Sequence, residues 1–185
     1  MTQPIAQPPV NSPARTSTPS TIEWHWKTFE ALTPHELYAM LAARSAVFVI
    51  EQQCIYADID GLDPAAWHLF GLDATRPGRP LAVYARVFGP DADDGTVRIG
   101  RVLTAPAYRK LGLGKILLDQ VMTRLPEHWP DIPVRLHAQA HLQEFYGSFG
   151  FVATSEIHLE DDIPHVWMQR DALAVQPYIS TVRAA

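Results

Sequence analysis

The stretch Ala107–Lys115, "AYRKLGLGK", carries two glycines spaced two apart among basic residues, and the apolar run "ILLDQV" follows at once. The apolar run reads as a helix, so the glycines and the charge stand at its start. A helix start has free backbone N–H groups and a partial positive charge, and it attracts anions. Gly112 and Gly114 remove side chains where a ligand would approach the backbone closely. Arg109, Lys110 and Lys115 add charge, and a pyrophosphate is the natural guest. Two other phosphate loops are excluded by spacing. A Walker loop needs Ser or Thr after the lysine, where this chain has Ile116. The dinucleotide fingerprint needs a third glycine at position 117, which is Leu. A short Gly-x-Gly before a helix also serves simply to pack strand against helix.

Outward from that turn, periodicity predicts alternating elements. In "IEWHWKTF", Ile22, Trp24 and Trp26 alternate with polar residues, as in a strand. "LTPHEL" predicts a helix start: Thr33 as N-cap, Pro34 first, and Glu36 completing a capping box. The apolar stripe Leu37, Met40, Leu41, Val47 and Phe48 is broken only by Arg44. After the loop "EQQCIYADIDGLDPAAW" come strands over 68–72, 81–89 and 96–104. A helix over 114–125 is expected to end at Pro126 and Pro130. A strand over 134–139, a helix over 141–149 closed by Gly150, and strands over 151–159 and 164–170 follow. The order β-α-β-β-β-α-β-α-β-β implies a mixed α/β (α+β) sheet, not a repeated βαβ array.

The 185 residues fit one domain, expected over 22–173. Residues 1–21, rich in Pro, Ser, Thr and Gln, predict a flexible tail. Residues 174–185 form a second tail in which Tyr178, Ile179 and Val182 have the character to dock. No apolar run approaches the roughly 20 residues of a membrane span, and the N-terminus lacks a signal-peptide core. A cytoplasmic location with no membrane partner is the expectation. The formal charge of −5 argues against a nucleic-acid partner and mildly favours a cationic substrate. One cysteine, Cys54, excludes an internal disulfide and a cysteine-built zinc site.

The Arg-x-x-Gly-x-Gly stretch Arg109–Gly114 follows the strand "VRIGRVLT" directly, and "AQAHLQEFYGSFGF" comes some thirty residues later. With "EQQCIYADIDGLD", "YARV" and "DDIPHVWM", these motifs resemble the GNAT superfamily of acetyl-CoA-dependent N-acetyltransferases, in its ElaA-type branch. The resemblance covers Ile22 to Arg170. Ile55 departs from it where proline is expected, which should alter loop stiffness. Gln139 stands where many members carry Asn. The resemblance implies a mixed sheet of about seven strands, splayed in the middle and flanked by helices. It implies acetyl-CoA as co-substrate, with its pyrophosphate on the N–H groups of Leu111, Gly112, Leu113, Gly114 and Lys115. The pantetheine arm would then run along Val102, Leu103 and Thr104 toward Gln139. It also implies Tyr146 as general acid for the departing thiolate; on spacing alone, Tyr146 would simply pack beside Phe145 and Phe149. The implied acceptor is a small amine or a protein N-terminus, and a homodimer is common among relatives.

An acceptor amine like that of lysine has a pKa near ~10.4 and must lose a proton before it attacks. Glu51, His68, His137 and His165 are the candidate bases. Glu51, Asp58 and Asp60, together with His68 and His165, are expected to line the acceptor side. The alternative for the Asp-x-Asp-Gly-x-Asp run 58–63 is a tight turn, since Asp and Gly suit such backbone. It is not a calcium loop, because its twelfth position is Leu69. Arg86 is expected to make an ion pair with this loop. His137 and His141 have i, i+4 spacing, but a strand-to-helix switch falls between them, and no metal is expected.

Overall fold

A computed structural model describes residues 21–54 and 56–172. The expectations for both tails and for Ile55 lie outside the described residues. One sheet organises the chain: β1 (Ile22–Thr28), β2 (Trp67–Asp73), β3 (Leu81–Phe88), β4 (Val97–Thr104), β5 (Val134–Gln139), β6 (Val152–Ala153), β7 (His158–Glu160) and β8 (Ile163–Arg170). The order across the sheet is β1-β2-β3-β4-β5-β8-β6, with β7 also on β8. All pairs are antiparallel except β4 with β5. The helices are α1 (Pro34–Arg44), α2 (Leu113–His128) and α3 (Gln143–Gly147).

Local chemistry explains the boundaries. Thr33 caps α1: its hydroxyl accepts from Glu36 N–H at 3.2 Å, and its own N–H donates to Glu36 at 2.9 Å. Beyond Arg44 the chain widens into a π-turn over Ser45–Glu51 and keeps Val47 and Phe48 buried. On α2, Leu113, Leu117, Leu118, Val121 and Leu125 are buried against β2, β3 and β4. A second cluster, including Met40, Phe48, Phe70, Tyr84 and Leu103, packs α1 and the π-turn onto the sheet.

Three expected boundaries are corrected. α2 passes through Pro126 and ends at His128. A proline's fixed φ suits a helix, and what it removes is the one N–H bond back to residue 122. The turn beyond it still closes, with Trp129 N–H donating to the Leu125 carbonyl at 2.7 Å. The strand expected over 151–159 is two short ones, β6 and β7. Between them Ser155 Oγ accepts from Trp167 N–H at 3.0 Å, so a side chain replaces the backbone ladder. This split makes the count eight strands. The helix expected over 141–149 opens as a 3₁₀ turn, Ala140–Leu142, and only Gln143–Gly147 is α-helical. Gly150 ends it at φ +85°.

The feature that positions the site is the short β4–β5 pairing. It holds at Val97–Val134, Arg98–Arg135 and Ile99–Leu136, and then stops. β4 also carries one extra residue against β3: Arg86 faces Gly100, but Tyr84 faces Leu103. Arg101 sits in this bulge at φ +51°. From Gly100 onward β4 has β3 on one side and, among the described residues, no strand on the other.

Candidate active site

Where β4 and β5 part, a cavity of about 340 Å³ opens. Gly100, Arg101 and Val102 of β4 form one wall, and Leu136 to Gln139 of β5 form the other. Tyr146 of α3 lines it from the face of β5 that carries Leu136 and Ala138. His165 of β8 lines it from the face that carries His137 and Gln139, with Glu160 and Asp161 of the β7–β8 hairpin. Alternation along β5 explains this polarity. Leu136 and Ala138 are buried in the core with Tyr146, while His137 and Gln139 are half-buried on the opposite face.

The glycine turn approaches from the β4 side. Lys110 (φ +63°) and Gly112 (φ +74°) are left-handed. No partner among the described residues takes up the N–H groups of Leu111, Gly112, Leu113 and Gly114. Lys115 is a correction: its N–H donates to the Gly112 carbonyl at 3.1 Å, so four amides rather than five are open. Gly114 lies over the end of β4, where a Cβ would stand 3.4 Å from Thr104 Oγ1. Arg109 donates from Nε to the Thr104 carbonyl at 3.2 Å and pairs with Glu51 at 2.9 Å.

Tyr146 is buried against Phe145 and Phe151. Burial alone pushes its phenol up to about 12, so it holds its proton across the neutral range. No hydrogen bond engages its hydroxyl among the described residues. Tyr146 thus packs among aromatics, against Phe145 and Phe151, and also lines the cavity.

Most of the expected acceptor-side residues are elsewhere. Asp58 bonds to Arg44 (2.9 Å) and Arg101 (2.7 Å), and Asp60 to Arg86 (2.6 Å) and Arg101 (3.3 Å). Asp63 completes the set with Arg44 (2.6 Å) and Arg86 (2.9 Å). Three carboxylates meet three guanidinium groups, so the loop offers no net negative charge to an ammonium. The ion pair expected of Arg86 is present, and Arg44, the break in the α1 stripe, is its fully buried companion. The Arg86 hydrogen bond is the main cause that lowers the Asp60 carboxyl to about 2.

His68 is also corrected. It is fully buried, with Nδ1 2.9 Å from Tyr84 Oη and Nε2 3.1 Å from the Asp63 carbonyl. Burial lowers its pKa and keeps it neutral. Glu51 is spent on Arg109 and does not line the cavity. His165 and Gln139 do line it, and Gln139 reaches Gln52 at 3.1 Å. His137 joins them, stacked on Trp167 at 4.3 Å, with Nδ1 2.7 Å from Glu160 and Nε2 3.0 Å from His158.

Sequence reasoning missed Gln52, Tyr56, Arg101, Glu160 and Asp161 as cavity residues. The turn "EDD" before the last strand was the available signal for the last two. Nothing local marks Arg101, whose aim depends on the bulge. Cys54 lines the cavity but is buried, and burial raises its thiol. Among the described residues no group of three or more His, Cys, Asp or Glu is arranged to hold a metal.

Comparison with known proteins agrees with this architecture. A family profile described as "Acetyltransferase (GNAT) domain" matches residues 81–172. The chain is 43% identical to Protein ElaA of Escherichia coli over 154 residues, 82% of this chain and 98% of that one. Among solved structures, an acyl-CoA N-acyltransferase from Pseudomonas aeruginosa is 45% identical with a TM-score of 0.76, covering 81% of this chain and 99% of that one. Escherichia coli ElaA superposes with a TM-score of 0.75 at 42% identity, covering 82% and 100%. The split sheet, the glycine turn beside it and these matches lead to one conclusion: the chain belongs to the GNAT acetyltransferase family, in its ElaA-type branch.

Proposed function

We propose that the chain moves the acetyl group of acetyl-CoA onto a primary amine by direct transfer, with both substrates bound at once. The observation that carries this is the parting of β4 from β5 after Ile99 and Leu136, with the open amides of Leu111–Gly114 at one end of the gap. The pyrophosphate would sit on those amides beside Arg109, Lys110 and Lys115. The pantetheine would run as a surrogate strand along Val102, Leu103 and Thr104, with Gln139 opposite. An open N–H on this edge of β4 would polarise the thioester carbonyl.

The amine nitrogen bonds to the carbonyl carbon, and the C–S bond then breaks. Tyr146 gives the sulfur its proton. The nitrogen gives up one proton before attack and a second on collapse, and the second restores Tyr146. A proton moving from a phenol at about 12 to a thiolate of ordinary basicity (~8.5) would run uphill by about 5 kcal/mol. Burial raises a thiol as it raises a phenol, which narrows that difference inside the cavity.

The test is a panel of primary amines with acetyl-CoA, read as released thiol, alongside a calorimetric titration with coenzyme A. Turnover with at least one amine is expected. Tight coenzyme A binding with silence across the panel would instead support a non-catalytic acyl-CoA-binding module on the same fold.

A further inference from the structure

The acetyl-transfer reading leaves the proton of the incoming amine without a destination. We infer that the acceptor enters beside the β7–β8 hairpin as an alkylammonium ion and gives its proton to Nε2 of His165. This inference rests on that reading and adds to it the acceptor's mouth, its charge state and its base.

The other candidate bases are spent. Glu51 is held by Arg109 at 2.9 Å. His68 is fully buried with both ring nitrogens engaged. His137 has Glu160 on one nitrogen and His158 on the other. His165 alone among them faces the cavity with one nitrogen open. Its Nδ1 lies 2.8 Å from the Ile163 carbonyl, which can only accept, so Nδ1 carries the hydrogen. Nε2 is then the lone-pair nitrogen, and no partner takes it up among the described residues. A backbone carbonyl that fixes one tautomer in this way leaves the other nitrogen ready to accept a proton.

Position supports the role. In register, His165 lies between Gln139 of β5 and His158 of β7. Its ring centroid is 4.8 Å from that of His137. The half-buried face of β5, with His137 and Gln139, thus forms one mouth of the gap, opposite Tyr146. The charged and titratable groups around it are His137 on β5, His158 and Glu160 on β7, and Asp161 in the turn. Arg101, Cys54, Tyr56 and Tyr146 border the cavity. Arg101 is already neutralised by Asp58 and Asp60. Glu160 faces His137, so the mouth carries no fixed excess of positive charge to repel an ammonium.

The step balances. The ammonium transfers one proton to Nε2, and the freed amine forms the C–N bond. After coenzyme A thiol leaves, the imidazolium returns its proton to solvent.

Two measurements test this on the full chain. Long-range ¹H–¹⁵N spectra of the histidine rings, assigned with His165→Gln, should show the Nδ1–H tautomer for the neutral ring of His165. The opposite tautomer overturns the inference, whatever the variant does. The second is kcat/KM against pH for a primary alkylamine from the panel. With a base in place the wild type binds the ammonium form, so its profile should level off below the amine's own pKa near ~10.4. His165→Gln should lose about 10²–10⁴-fold at neutral pH. It should also climb tenfold per pH unit all the way to the amine's pKa, with no plateau below it, because only free amine then reacts. Its coenzyme A affinity should be unchanged. A variant profile parallel to the wild type overturns the base alone. Silence of the wild type across the panel, with coenzyme A bound, overturns acetyl transfer and the base with it.

Discussion

At the scale of single residues, Tyr146 and Gly112 carry separable consequences. Tyr146 has no hydrogen-bond partner to lose among the described residues, so removing its hydroxyl should leave the packing intact. Tyr146→Phe should lower kcat by about 10²–10⁴-fold, the usual share of a general acid, with coenzyme A affinity unchanged by calorimetry. Gly112 is a backbone case. A Cβ there would meet nothing within 4 Å, yet φ is +74°. Gly112→Ala should therefore cost about 1–2 kcal/mol through conformation alone, read from denaturant unfolding. It should also weaken coenzyme A, because a relaxed turn no longer aims its amides together. Gly-x-Gly was legible as a backbone signal in the sequence. The pairing of Lys115 N–H with Gly112 was not, since it depends on the 3₁₀ bend of that turn.

At the scale of elements, caps and periodicity were the readable parts. The capping box of α1 rests on Thr33 and Glu36 three residues apart, a purely local relation, and it appeared as read. Thr33→Ala should cost about 1 kcal/mol in chemical denaturation, with no effect on coenzyme A binding. The misread elements share a cause. Pro126 reads as a stop in sequence, but a proline near a helix end forfeits one bond while the packing of Leu125 and Trp129 persists. Residues 151–159 alternate well enough for one strand. They break because Ser155 meets Trp167, a partner twelve residues away that no window over the segment contains.

At the scale of the whole molecule, the three-arginine, three-aspartate network joins α1, the 58–63 loop, β3 and the β4 bulge. Arg44 is its fully buried member. Arg44→Met would leave Asp58 and Asp63 short of a partner, and should cost about 3–5 kcal/mol in unfolding free energy. It should also loosen Arg101, whose left-handed backbone forms the cavity wall. The same network predicts acid sensitivity. Asp60 is lowered from 3.8 to about 2 on folding, with the Arg86 hydrogen bond the main cause. Its contribution is thus present above pH 4 and is lost as pH falls through 2. About 2 kcal/mol should disappear over that window in urea midpoints. Asp60→Asn should be less stable at neutral pH and show a flatter slope between pH 4 and 2.

The order of elements, the glycine turn, the place of Tyr146 and the family resemblance were all available from the residues in line. They rest on local periodicity, on backbone freedom and on motifs a few residues long. The acidic loop was readable only as composition. Whether its carboxylates greet a substrate or neutralise arginines depends on Arg44, Arg86 and Arg101, which lie 14, 26 and 43 residues away from their partners in the chain. The tertiary structure decided against the substrate because buried guanidinium groups require nearby countercharge. It also sorted the histidines, burying His68 and leaving one nitrogen of His165 without a partner among the described residues. Local sequence cannot say which face of a strand will be covered, or by what.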